Sequence, residues 1–228
     1  MDFSIIFSNL DIYFEGLKNT LILVSVSLVI GLIFAVPLAV LRTSKNIFIS
    51  GPIWAFVYFF RGTPLLVQIF LLYYGMGQFE PLKSSFLLFF FKEAYFCALF
   101  AFTLNTCAYT TEIIRGAIAN TPHGEIEAAK ACGMSYFLRF RRIILPSAFR
   151  RALPTYGNEI IFMLHGSSLA SVITIIDITG AARIINSRFY SPYEAFLTAA
   201  AFYMTITFII VYFLKKLEFK WLAHLRHE

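Results

Sequence analysis

Apolar residues run along this chain in long blocks. They lack the period of a surface helix or of a half-buried strand. A bilayer hydrocarbon core about 30 Å thick takes roughly 20 apolar residues as one helix. Blocks of that length lie at about 21–41, 53–75, 95–114, 155–176 and 193–213. Asn19 and Thr20 can cap the first, and Arg42 closes it. The second is interrupted by Arg61, Gly62, Thr63 and Pro64, where freed backbone groups need protein or water around them rather than lipid. A further apolar run at 86–91 is closed by Lys92 and Glu93, and its length suits an interfacial piece. The pattern predicts an all-α polytopic membrane protein with five transmembrane helices, residues 1–228 forming a single transmembrane domain.

One segment breaks this pattern. Residues 125–146, EIEAAKACGMSYFLRFRRIILP, are charged and helix-forming, with a glycine inside and a proline at the end. Thr121 and Pro122 suit a helix start, and Glu125 and Glu127 fall where the helix dipole favours negative charge. Gly133 supplies the left-handed residue that ends such a helix, and Ser135 can cap a second one. That second helix carries Arg139, Arg141 and Arg142 and is expected to stop at Pro146. The spacing predicts a helical hairpin within a loop at about 115–153 that spans no membrane. Ala128 and Ala129 let another surface approach closely, so the hairpin can dock on a partner. It can equally cap its own bundle, with its arginines touching anionic lipid.

Composition agrees with a membrane chain: 59% of residues are hydrophobic and mean hydropathy is +0.73, against about 45 to 50% apolar in soluble domains. The net charge of +6 does not point to nucleic acid, because Lys and Arg accumulate in cytoplasmic loops. Thirteen lie in the loops after the first and third blocks and in the C-terminal tail, against five in the alternate set. The N-terminus is therefore expected outside, with the hairpin and the C-terminus in the cytoplasm. Asp2, Asp11 and Glu15 without a basic region ahead of an apolar run argue against a cleaved signal peptide.

The chain has no GxxxxGK[ST] phosphate loop, no HExxH and no GxSxG, so neither ATP binding by that loop nor a catalytic residue is expected. His224 and His227 suit a solvated tail better than a metal site, and no metal is expected. Cys97 and Cys107 are ten residues apart on one helix, too far for a disulfide.

Ionisable groups at membrane depth are costly and tend to face a cavity or a partner. Arg61, Glu112 and Glu159 qualify. Arg61 can pin the broken helix by hydrogen bonds. Glu112 and Arg115 share a helix face and suit an ion pair. Glu159, beside Asn158 and followed by Ser167 and Ser168, can hold a cationic solute or lock its helix to a neighbour. Asn105, Tyr109 and Gln68 can line the same path or bond between helices.

Glu127, Ala128, Ala129, Gly133, Ile143, Leu145 and Pro146, at this spacing, resemble the EAA motif of permease subunits of bacterial ABC importers. FRGTPLLVQIF at 60–70, NTCAYTTEIIRGAI at 105–118 and GNEIIFMLHGSSLASV at 157–172 extend the resemblance to polar amino acid permeases. These matches look most like the arginine and the histidine/lysine/arginine/ornithine systems. His165 departs from the lysine found in many relatives.

The resemblance implies a five-span permease in a bacterial inner membrane, with the hairpin as the element that couples to a separate ATPase. It also implies two ATP-binding subunits holding ATP and Mg, a second permease identical or homologous to this one, and an external solute-binding protein. The chain itself would carry no cofactor, and its solutes would be basic amino acids of the arginine, histidine and lysine type. The alternative is an ATP-independent secondary transporter or channel, which predicts paired broken helices.

Overall fold

A computed structural model describes residues 3–78 and 92–222. The apolar run at 86–91, Lys83, His224, Arg226 and His227 lie outside the described residues. The described residues are helical, without strands. The long elements are α2 (Leu10–Arg42), α3 (Ile47–Gly62), α5 (Ala94–Ala119), α8 (Leu145–Gly166) and α10 (Pro192–Trp221); the short ones are α1 (Ser4–Phe7), α4 (Leu65–Phe70), α6 (His123–Ala131), α7 (Tyr136–Arg139) and α9 (Ile178–Phe189). Among the described residues, α2 and α10 are long and apolar enough to cross a membrane; counting two bent helix pairs as one span each raises the number to four.

Helix α5 misses that measure although its 26 residues are long enough, at about 1.5 Å each. Its polar positions explain this, because Thr103, Asn105, Thr106, Thr110 and Thr111 are all buried. A helix at the centre of a bundle faces protein, so it is free of the demand for a wholly apolar surface.

Helix α2 packs along α5, and from Ser27 onward every buried position on it is small. Thr20, Ser27, Gly31, Ala35 and Ala39 are buried, while Ile22, Val29, Ile33 and Phe34 are exposed. Small residues at helical spacing let two helices approach closely in lipid. A Cβ on Gly31 would lie 2.5 Å from the Thr106 methyl. Asn19 and Thr20 do not cap this helix, which starts at Leu10. The Asn19 amide donates to the Ile176 carbonyl at 2.8 Å, and the Thr20 hydroxyl accepts from the Ile178 N–H at 3.3 Å. Both residues are thus spent on a distant loop.

Between α3 and α4 the chain turns by 104°. Thr63 is extended, as the residue before a proline prefers. The bend frees carbonyls, and Gln68 meets them: its amide donates to Phe60 at 2.8 Å and to Thr63 at 3.0 Å. Asn105 of α5 donates to the Gln68 side-chain oxygen at 3.1 Å, tying the bend to the bundle centre.

The hairpin forms, with corrections at both ends. Pro122, not Thr121, holds the N-cap position of α6. The Thr121 hydroxyl donates to Ile118 at 2.8 Å, so it closes α5 instead. Gly133 has φ +72°, and the N–H of Met134 reaches the Ala129 carbonyl at 3.1 Å, a left-handed helix ending. Ser135 caps α7, accepting from the Leu138 N–H at 3.4 Å. Pro146 does not stop the second helix. A π turn at Phe140–Ile144 leads from α7 into α8, and the helical path continues from Tyr136 to Ile173. Proline lacks an N–H, and the widened turn ahead of it relieves the register that a regular helix would impose.

The path ends in a 3-10 segment, Ser167–Ile173, then Thr174 in the left-handed region, and bends 45° into α9. The sequence had shown one interrupted span; the structure has a second bent pair here.

Candidate functional site

The α3–α4 bend, α5 and α8 enclose a cavity of about 780 Å³. Arg61 through Leu65 form one wall, Asn105, Tyr109 and Ile113 a second, and Thr155, Asn158, Glu159, Phe162 and Met163 a third. The bend in the chain creates the space. Elsewhere α2, α3 and α5 leave an apolar cleft of about 490 Å³, which includes Ile30, Phe34, Phe56 and Phe100 but no charged group to hold a polar solute.

Glu159 is 6% exposed. The Thr106 hydroxyl of α5 and Arg61 both act on its carboxyl. Arg61 is exposed and lies over the Tyr109 ring, 5.2 Å from its centroid. Its expected pinning of the bend is done by Gln68 and Asn105 instead. The cavity therefore presents one carboxylate, one guanidinium, two carboxamides and a phenol between apolar walls. Such a set complements a small solute carrying both charges.

The structure thus brings Arg61, Asn105, Tyr109, Asn158 and Glu159 to one cavity, and leaves other candidates out. Ser167 is buried, its hydroxyl donating to Leu164 at 2.7 Å, and Ser168 donates to His165 at 2.7 Å. Neither lines the cavity. His165 meets the Thr207 hydroxyl on α10 at 3.2 Å, away from Glu159. Glu112 pairs with Arg115 and borders a smaller pocket with Arg42, Trp54 and Arg61.

Asp177 escaped the sequence reading. It is fully buried, caps α9 by accepting from the Gly180 N–H at 2.7 Å, and accepts from the Tyr203 hydroxyl of α10 at 3.0 Å. Its signal was an aspartate three residues before a glycine at a helix start, placed just beyond an apolar block that ended at Ile176.

The hairpin has two faces. Ile126, Phe140 and Ile144 pack with Ala39, Ile114 and Ala148, and Ala129 is buried. Glu127, Ala128, Gly133 and Pro146 are exposed, Ile143 and Leu145 half-buried. At the tip Tyr136 and Phe137 are 69% and 71% exposed. Docking and self-packing are therefore not exclusive. Arg151, which reads from sequence as a loop charge, locks the hairpin base: it donates to Ser147 at 2.5 Å, the Ala117 carbonyl at 3.2 Å and Thr121 at 2.9 Å.

The chain is similar to known proteins over most of its length. Residues 27–222 match the family described as binding-protein-dependent transport system inner membrane component. The chain is 48% identical over 211 residues to the nopaline transport system permease protein NocM of Agrobacterium fabrum, covering 92% of this chain and 88% of that one. It is 49% identical over 214 residues to the histidine/lysine/arginine/ornithine transport system permease protein HisM of Escherichia coli K12, covering 93% and 90%. Its fold matches a chain of a crystal structure of an amino acid ABC transporter with histidines at a TM-score of 0.87 and 32% identity, over 96% of this chain and 99% of that one.

Proposed function

Because the chain belongs to the family of binding-protein-dependent transport system inner membrane components, we propose that it forms the translocation pathway of an ATP-driven importer for basic amino acids. The observation that carries this reading is the cavity at the α3–α4 bend, where the buried Glu159 faces the Arg61 side. A basic amino acid has a cationic side chain for the carboxylate and an α-carboxylate for the guanidinium, and both attractions strengthen where water is excluded. The name of HisM, specifying histidine, lysine, arginine and ornithine, supports the solute class.

The chain is a transport subunit, and ATP is hydrolysed on a separate one. We assign residues 1–228 to one five-span unit of the inner membrane, with α5 as a central span, the N-terminus outside and the hairpin in the cytoplasm. Two ATP-binding subunits carrying ATP and Mg, a second permease identical or homologous to this one, and a solute-binding protein complete the assembly. The exposed face of the hairpin, with Glu127, Ala128, Tyr136 and Phe137, docks on the ATP-binding subunit. Closure of the two ATP-binding subunits draws the paired hairpins together and opens the cavity toward the binding protein; hydrolysis resets it inward.

Two bent helix pairs are what an ATP-independent transporter would need, but family membership decides against that rival. Reconstitution into vesicles tests the point. Uptake is expected only with the ATP-binding subunit, ATP and the solute-binding protein present, and uptake by this chain alone would overturn the reading.

A further inference from the structure

At the hairpin end of the molecule, α8 and α10 leave between them a pocket of about 510 Å³, lined by Pro146, Phe149 and Arg150 near the start of α8 and by Lys220 and Trp221 at the end of α10. Two cations from separate helices meet there, and among the described residues no acid lines the pocket; Glu218, on the same turn as Lys220, is not part of its wall.

The fold treats the adjacent arginines oppositely. Arg151 turns inward to Ser147, Ala117 and Thr121. Arg150 is exposed, and among the described residues neither it nor Lys220 makes a side-chain hydrogen bond or ion pair. Two such cations share a pocket whose other walls are apolar or aromatic.

The level of the pocket follows from the helices that build it. Phe213, Leu217 and Trp221 are exposed and recur every four residues, so an apolar stripe runs from the span of α10 to the rim. A tryptophan beside a lysine at the end of such a stripe marks the depth of lipid headgroups. Arg150 also lies about 21 Å back along the unbroken helix from Tyr136 at the hairpin tip. The pocket therefore stands at the membrane surface, away from the docking tip.

We propose that this pocket binds the phosphate headgroup of an anionic phospholipid. Arg150 and Lys220 hold the phosphate oxygens from two sides, while Phe149 and Trp221 flank the glycerol and upper acyl carbons. The lipid bridges the ends of the two helices.

The test uses the transporter purified in mild detergent with its ATP-binding subunit, titrated with phosphatidylglycerol or phosphatidylcholine while bound lipid is followed by native mass spectrometry. The natural protein is expected to retain phosphatidylglycerol in preference to phosphatidylcholine. The double substitution R150Q/K220Q should weaken phosphatidylglycerol binding roughly 30-fold, and R188Q, at the opposite end, should leave it unchanged. Equal binding by the double variant overturns the site. Displacement of phosphatidylglycerol by inorganic phosphate alone also overturns it, assigning the pocket to a free anion. Loss of the ATP-binding subunit from the double variant with lipid retained hands the surface to that partner and equally refutes the proposal.

Discussion

Glu159 and Asp177 are both withdrawn from solvent, yet their surroundings differ. Both oxygens of Asp177 already accept, one from the Gly180 N–H and one from the Tyr203 hydroxyl. Its capacity is used within the protein, which is the mark of a structural acid. Glu159 lines a cavity, with the Thr106 hydroxyl and Arg61 acting on its carboxyl. Replacing Glu159 with Gln should therefore lower uptake of a cationic amino acid roughly 10- to 100-fold, the worth of a hydrogen bond to a charged group. The yield of assembled complex should stay normal, and unchanged uptake in reconstituted vesicles would reject direct charge recognition. Asp177→Asn should do the reverse. It leaves one acceptor where two are needed, costing about 1–3 kcal/mol. Thermal unfolding of the complex should show the loss, with uptake per folded complex preserved. Glu159 was legible in the sequence because a lone acid in an apolar block has few explanations. Asp177 was not, because an acid just past such a block looks like any loop residue until the fold closes over it.

At the scale of elements, local chemistry made the hairpin turn readable: a glycine with positive φ and a serine cap stand where the residue types placed them. What no local rule supplied was the role of Pro146. A proline normally ends a helix, but a π turn just ahead of it lets the helix pass into α8. Arg151 was hidden for a related reason, since its inward direction depends on the register that this passage sets. Two of its three hydrogen bonds, to Ala117 and Thr121, join α8 to the end of α5, and the third, to Ser147, stays within α8. Arg151→Ala should release the hairpin base, at about 1 kcal/mol for each bond lost. Faster amide hydrogen exchange across residues 123–139 is the expected sign, with protection at the α2–α5 contact unchanged. Unaltered exchange in the hairpin would show that the arginine does not hold it.

For the whole molecule, apolar block length located the long helices but misjudged what lay between and within them. The two bends are tertiary facts, braced by Gln68 with Asn105 and by Asp177 with Tyr203, and block length contains neither. The α2–α5 contact depends on side-chain size, to which hydropathy is blind. A methyl on Gly31 would meet Thr106 at 2.5 Å, while one on Gly116 would have nothing within 4 Å. Gly31→Ala should cost about 1–3 kcal/mol through overpacking, and Gly116→Ala should be neutral or slightly stabilising. Paired thermal unfolding of the two variants makes the comparison, and equal stability would mean that the close approach is not needed.

The unbroken helical path from Tyr136 to Ile173 fixes more than distance. About 35 Å of axis separates Tyr136 from Glu159, and the register of that path, its π turn included, also fixes the angle at which the acid projects relative to the tip. Chain length between the two ends is consequently set in phase, since one added residue would turn the acid by about 100° while lengthening the path hardly at all.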